Sequence, residues 1–118
     1  MRQICAAAVL VAIVALTPAG PARADLVIEG RAAQALHCSA MLFMVSSVMF
    51  DEGFISRNLR DDAQRGALVM LDAVPGTDKQ RVQAMAQRFD RIMESRTPPD
   101  LLDEYNKSAR WCQRAFLR

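Results

Sequence analysis

Nineteen consecutive residues, 32–50, carry no formal charge, and this run constrains the fold more than any other part of the sequence. A helix that is apolar on nearly every side is either the buried central helix of a domain or a membrane span. The run is long enough to cross a bilayer, but Gln34, His37 and three serines interrupt it. Its alanines and serines would instead let neighbouring helices approach closely. We therefore expect a central helix and no stable membrane insertion of the mature chain.

The N-terminal residues have the pattern of a secretory signal peptide. Arg2 supplies a positive charge, residues 4–16 form a mostly apolar stretch, and residues 22–24 match the small-x-small cleavage pattern. The apolar stretch is too short to cross about 30 Å of hydrocarbon. We expect residues 1–24 to be removed and residues 25–118 to form one domain. Its expected location is the bacterial periplasm or the exterior.

The charge of the mature segment is balanced. Once Arg2 and Arg23 are removed, 13 basic and 13 acidic side chains remain. A balanced domain has no global attraction for nucleic acid or for anionic lipid. We therefore expect a partner other than nucleic acid.

Two cysteines, Cys38 and Cys112, remain in the mature segment. Exported proteins meet an oxidising compartment, where two thiols usually pair. Closing so long a loop stabilises the folded chain by about 4 kcal/mol in the chain-entropy model. Two free buried thiols or a metal site are the alternatives, and we expect a disulfide.

Chain breakers divide the mature segment into four predicted helices. Their predicted bounds are 26–50, 54–73, 78–95 and 99–116. Apolar side chains recur at helical spacing in each and form a stripe that we expect to face away from water, including Phe54 and Leu59 in the second helix and Val82 in the third. Thr77 and Gln80 have the spacing of a capping box before the third helix.

Three short connections between long helices favour antiparallel neighbours. The predicted fold class is therefore all-α, a small four-helix antiparallel up-down bundle. In that topology the start of the first helix lies beside the end of the fourth. Cys38 and Cys112 then fall at the same end of the bundle, which agrees with the predicted disulfide.

One set of residues has the spacing of a metal site. His37, Met41 and Met44 follow i, i+4, i+7 spacing, and thioethers with an imidazole suit Cu(I). A methionine stripe at helical spacing is more often core packing. Histidine and methionine also ligate haem in exported four-helix bundles of the cytochrome b562 family, which take these ligands from both terminal helices. The fourth predicted helix has neither histidine nor methionine, so this chain does not match that pattern and haem is not expected. We expect neither metal nor cofactor.

The fourth predicted helix has a basic face near its end. Lys107, Arg110 and Arg114 could bind an acidic partner or form a solvated surface. Trp111 lies beside Cys112, where it could cover the disulfide or serve as an exposed interface anchor. The pattern leaves both pairs of alternatives open.

The function predicted from the sequence is non-enzymatic. No nucleophile motif or Cys-x-x-Cys pair is present, and the single histidine has no recognisable catalytic partner. The leading expectation is a protein-binding module of the cell envelope, of the inhibitor or immunity type, with an unknown protein partner. A periplasmic stress chaperone is the alternative, and a Cu(I)-binding or carrier protein is third. The oligomeric state stays open.

Overall fold

A computed structural model of the protein describes residues 28–94 and 96–117, and every regular element among them is helical. The predicted signal peptide, residues 1–24, lies outside the described residues. The helices, in chain order, are α1 (Gly30–Asp51), α2 (Arg57–Leu71), α3 (Asp78–Met93) and α4 (Pro98–Phe116). The all-α class and the four helices are confirmed.

Helix α1 contains a π-helical segment at Ala40–Val45. The Ser46 N–H bonds to the Met41 carbonyl, five residues earlier, instead of four as in an α-helix. The wider turn holds one more residue than an α-helical turn, so it shifts the faces on which later side chains lie. The i, i+4, i+7 spacing of a regular helix therefore does not apply across residues 37–44.

Small residues bring α1 and α2 close together. Ser39 is fully buried, and its hydroxyl donates to the Ala35 carbonyl at 2.8 Å. The same hydroxyl lies 3.3 Å from the Ala67 carbonyl of α2. Ala63 and Ala67 are buried on the facing side of α2. The buried hydroxyl is thereby satisfied by backbone acceptors.

The turn after α1 moves the start of α2 from the predicted residue 54 to Arg57. Gly53 has a φ of +79°, and the Phe54 N–H bonds to the Met49 carbonyl at 2.8 Å. This is a Schellman ending, which requires the left-handed conformation that glycine adopts easily. Because the Ser56 hydroxyl then accepts the Leu59 N–H at 3.1 Å, it caps the new helix.

Two side chains of the predicted apolar stripe of α2 are consequently exposed. Phe54 lies in the turn, and Leu59 lies in the first turn of the helix, and both face solvent. The prediction of their burial was wrong, because the helical spacing was extended through a turn that is not helical.

The predicted capping box at the start of α3 is confirmed. The Thr77 hydroxyl accepts the Gln80 N–H at 3.2 Å, and the Gln80 side chain accepts the Thr77 N–H at 2.8 Å. The Arg81 guanidinium donates to the Val74 carbonyl at 2.7 Å, which ties α3 to the turn before it. Val82 is exposed, so its predicted place in the buried stripe was also wrong.

Helix α1 is the centre of the packing, with each of the other three helices in contact with it. By length and composition α1 could also cross a membrane, and 56% of its most apolar window is buried inside the structure. Apolar side chains from all four helices form a single core. The central position of the uncharged run is as predicted, whereas the up-down order of the bundle stays a prediction.

Candidate protein-binding surface

Cys38 of α1 and Cys112 of α4 form a disulfide, as predicted. Their Cα atoms are 5.7 Å apart, and both side chains are fully buried. The bridge fixes the first half of α1 against the last turns of α4. A disulfide of this kind is typical of proteins outside the reducing cytoplasm.

The end of α4 is also held by Arg31 of α1. The Arg31 guanidinium donates to the Ala115 carbonyl at 2.6 Å, which satisfies a carbonyl that the last turn of a helix leaves free. The central carbon of the Arg31 guanidinium lies 4.3 Å from the centroid of the Phe116 ring. Contacts 31–115 and 38–112 run in opposite order along the two helices.

Trp111 stands on this fixed end and is 41% exposed. Its ring meets the Phe116 ring edge-on, with centroids 6.2 Å apart and an interplanar angle of 72°. This geometry is favourable for an aromatic pair and holds the indole in place. Trp111 is therefore exposed, and its role as an interface anchor stays a prediction.

Two arginines lie next to Trp111 on the surface of α4. Arg110 and Arg114 are exposed, and neither forms an ion pair with any carboxylate among residues 28–94 and 96–117. By contrast, the Lys107 ammonium lies 3.0 Å from an Asp103 carboxylate oxygen. We call Arg110, Trp111 and Arg114 the α4 basic surface. Sequence reasoning selected all three residues, together with Lys107.

A second exposed surface was not found from the sequence. Leu68, Val69 and Val82 are 53%, 56% and 52% exposed, and they line a groove of about 400 Å³ between α2 and α3. Asp72 and Asp78 stand at its rim. We call this the α2–α3 groove. Sequence reasoning placed Val82 in the core, because apolar spacing alone does not show which of two adjacent faces is covered.

The candidate metal residues lie in different environments. Met41 is fully buried in the core, whereas His37 and Met44 are half-buried. No group of three or more His, Cys, Asp or Glu side chains among the described residues could hold a metal ion. The predicted absence of a Cu(I) site at His37, Met41 and Met44 stays a prediction.

His37 lies among charged groups of α3, α4 and their connection. Burial lowers the pKa of His37 below its ordinary value, Arg88 and Arg96 lower the pKa further, and Glu104 opposes them. Arg96 and Glu104 are themselves paired, with a guanidinium nitrogen 3.0 Å from a carboxylate oxygen. The folded protein therefore resists a proton at His37 more than the unfolded chain does.

We expect the folded state to lose stability on mild acidification because of His37. The contribution is fully present above the unfolded pKa of about 6.5 and is lost as the pH falls through the lowered folded pKa. His37 is the only histidine, so between about pH 5 and 7 no other side chain of ordinary pKa titrates. Urea unfolding across this range measures the effect. His37→Gln should flatten the pH dependence, and an unchanged slope in that variant would contradict the assignment.

No protein family, curated protein or solved structure matches this chain.

Proposed function

We propose that residues 25–118 are a non-enzymatic, exported protein-binding module of the cell envelope, of the inhibitor or immunity type. The α4 basic surface binds an acidic patch on its protein partner. The observation that carries the proposal is an exposed tryptophan close in the helix to two exposed arginines that have no carboxylate partner among the described residues, near a helix end fixed by a disulfide. The proposal includes removal of residues 1–24 and an up-down arrangement of the four helices.

The chemistry of this surface supports protein binding. Tryptophan and arginine are the residues most enriched among those that dominate binding energy at interfaces. The disulfide, the Arg31–Ala115 hydrogen bond and the Trp111–Phe116 contact already order the helix end. A preordered anchor loses little conformational entropy on binding, which favours affinity. Two guanidinium groups match carboxylates on a partner through paired hydrogen bonds.

Site-specific crosslinking in the periplasm tests this proposal. An aromatic photoreactive residue at position 111, which keeps a large ring there, should form one discrete adduct with another protein, distinct in mass from any adduct between two copies of this chain. Arg110→Glu combined with Arg114→Glu should remove that adduct, because reversed charges repel an acidic partner. A photoreactive residue at Gln83, on an exposed position of α3, is the matched control and should give no such adduct.

Lys107 provides a second control for the charge argument. Its ammonium is already paired with Asp103, so Lys107→Ala should change the adduct yield much less than the arginine substitutions. Equal yields of the adduct with another protein from photoreactive residues at positions 111 and 83 would contradict the proposal. Binding of the purified domain to anionic vesicles through the same two arginines would also contradict it, in favour of a lipid surface.

A stress chaperone is the alternative, and the surroundings of His37 favour it. Protonation of His37 adds a positive charge near Arg88 and Arg96, which weakens the contact of α3 with α1. Apolar side chains of α3 would then become available to unfolded clients. Loss of near-UV circular dichroism with binding of a hydrophobic dye at mildly acidic pH, while helix content persists, would support this function. An unchanged near-UV spectrum would exclude it.

A further inference from the structure

We propose that the α2–α3 groove binds the α4 basic surface of a second copy of this chain. This inference rests on the proposed function, because it uses the same α4 basic surface. It names a second copy of the chain as one partner of that surface. Self-association would then cover the α4 basic surface when the external partner is absent. The groove and the surface lie on different helices, so one copy can offer both.

The first observation is the exposed apolar lining of the groove. Three aliphatic side chains, Leu68, Val69 and Val82, are each about half exposed and line one depression. The groove is an open depression of about 400 Å³ with a mostly apolar lining, so an apolar side chain of a partner can lie against it. Trp111 is the one exposed tryptophan side chain that the described residues offer, and it stands on a fixed helix end.

The second observation is that the charges are complementary. The side chains of Asp72 and Asp78 are 81% and 98% exposed at the rim of the groove. The nearby Arg81 guanidinium lies 3.8 Å and 3.4 Å from them, but it is largely buried and also bonds to a backbone carbonyl. The rim therefore keeps an excess of negative charge. Arg110 and Arg114 bring positive charge to it.

The third observation is the overall charge. Residues 25–118 hold equal numbers of basic and acidic side chains, so two copies do not repel each other as wholes. The positive α4 basic surface and the negative rim of the groove nevertheless lie on separate parts of the chain. Such separation orients one copy against the other. Because oppositely charged exposed groups make the contact, added salt should weaken it.

Sedimentation of the mature, oxidised protein tests the inference. Wild-type protein should associate as its concentration rises from micromolar to millimolar, and added salt should reverse the association. Val82→Asp should weaken it at least roughly tenfold by placing a charge in the apolar groove. Arg110→Gln combined with Arg114→Gln should weaken it by a similar factor. Both sets of substitutions are at exposed positions, and circular dichroism checks that each variant folds.

Mixing the two variants gives the decisive measurement. The Val82→Asp protein has an intact α4 basic surface, and the arginine variant has an intact groove. At a concentration where wild-type protein is associated, each variant alone should be largely monomeric, and an equimolar mixture should form a 1:1 dimer. A monomeric mixture, or wild-type protein that is monomeric throughout, would overturn the inference. The crosslinking experiment tests the proposed function independently of self-association, because an adduct with another protein differs in mass from an adduct between two copies of this chain.

Discussion

Loss of the Cys38–Cys112 disulfide should lower the free energy of unfolding by about 2–5 kcal/mol, the usual cost for a small exported domain. Total stability for a domain of this size is of order 5–10 kcal/mol, so the midpoint of thermal unfolding should fall by roughly ten degrees or more. The bridge joins residues 74 positions apart, and cutting it frees a long loop in the unfolded chain. Thermal circular dichroism of oxidised and reduced protein measures the difference.

The double variant Cys38→Ala, Cys112→Ala provides the control for this prediction. It should unfold near the temperature of the reduced protein, because both lack the same constraint on the unfolded chain. Thiol titration of unfolded, unreduced mature protein, which lacks Cys5, should find no free thiol. Two free thiols per chain would contradict both the bridge and the stability that we assign to it.

Met41→Ala should be the second large loss, at about 2–5 kcal/mol. Met41 is fully buried in the π-helical segment of α1, where the other helices contact α1. Truncating its side chain removes core contacts and leaves a cavity. Met41→Leu conserves the volume and should cost less than about 1.5 kcal/mol. Urea unfolding of the three proteins measures the series.

Met44 allows the core role to be separated from copper binding. Met44 is only half-buried, so Met44→Ala should cost clearly less than Met41→Ala. Equilibrium dialysis against Cu(I) should show no tight binding that depends on His37, Met41 and Met44. Stoichiometric binding that Met41→Leu with Met44→Leu abolishes would contradict this prediction and favour the copper-carrier function.

Local signals predicted the features that depend on neighbouring residues. The capping box at Thr77 and Gln80 formed as predicted, because both hydrogen bonds lie within one turn. The disulfide followed from the number of cysteines and their expected compartment, and the structure pairs them. The sequence left the exposure of Trp111 open, and the structure shows that Trp111, Arg110 and Arg114 are exposed.

Features that depend on distant contacts were not predicted. The π-helical segment at Ala40–Val45 has no marker in its composition. An apolar stretch predicts a helix, but it does not show whether each N–H bonds to the carbonyl four or five residues earlier. Val82 has the spacing of a core residue, yet the space above it is an open groove. Only the arrangement of α2 and α3 around α1 determines whether that face is covered.

The central place of α1 has a consequence for synthesis. This helix precedes the three helices that cover it, and chains fold in order as they emerge. The uncharged surface of α1 therefore stays uncovered until α2, α3 and α4 have been synthesised. During that interval α1 is an exposed apolar segment that can associate with a membrane or with another nascent chain. The protein is thus most dependent on holding factors before it is complete, and oxidation of Cys38 has to wait for Cys112.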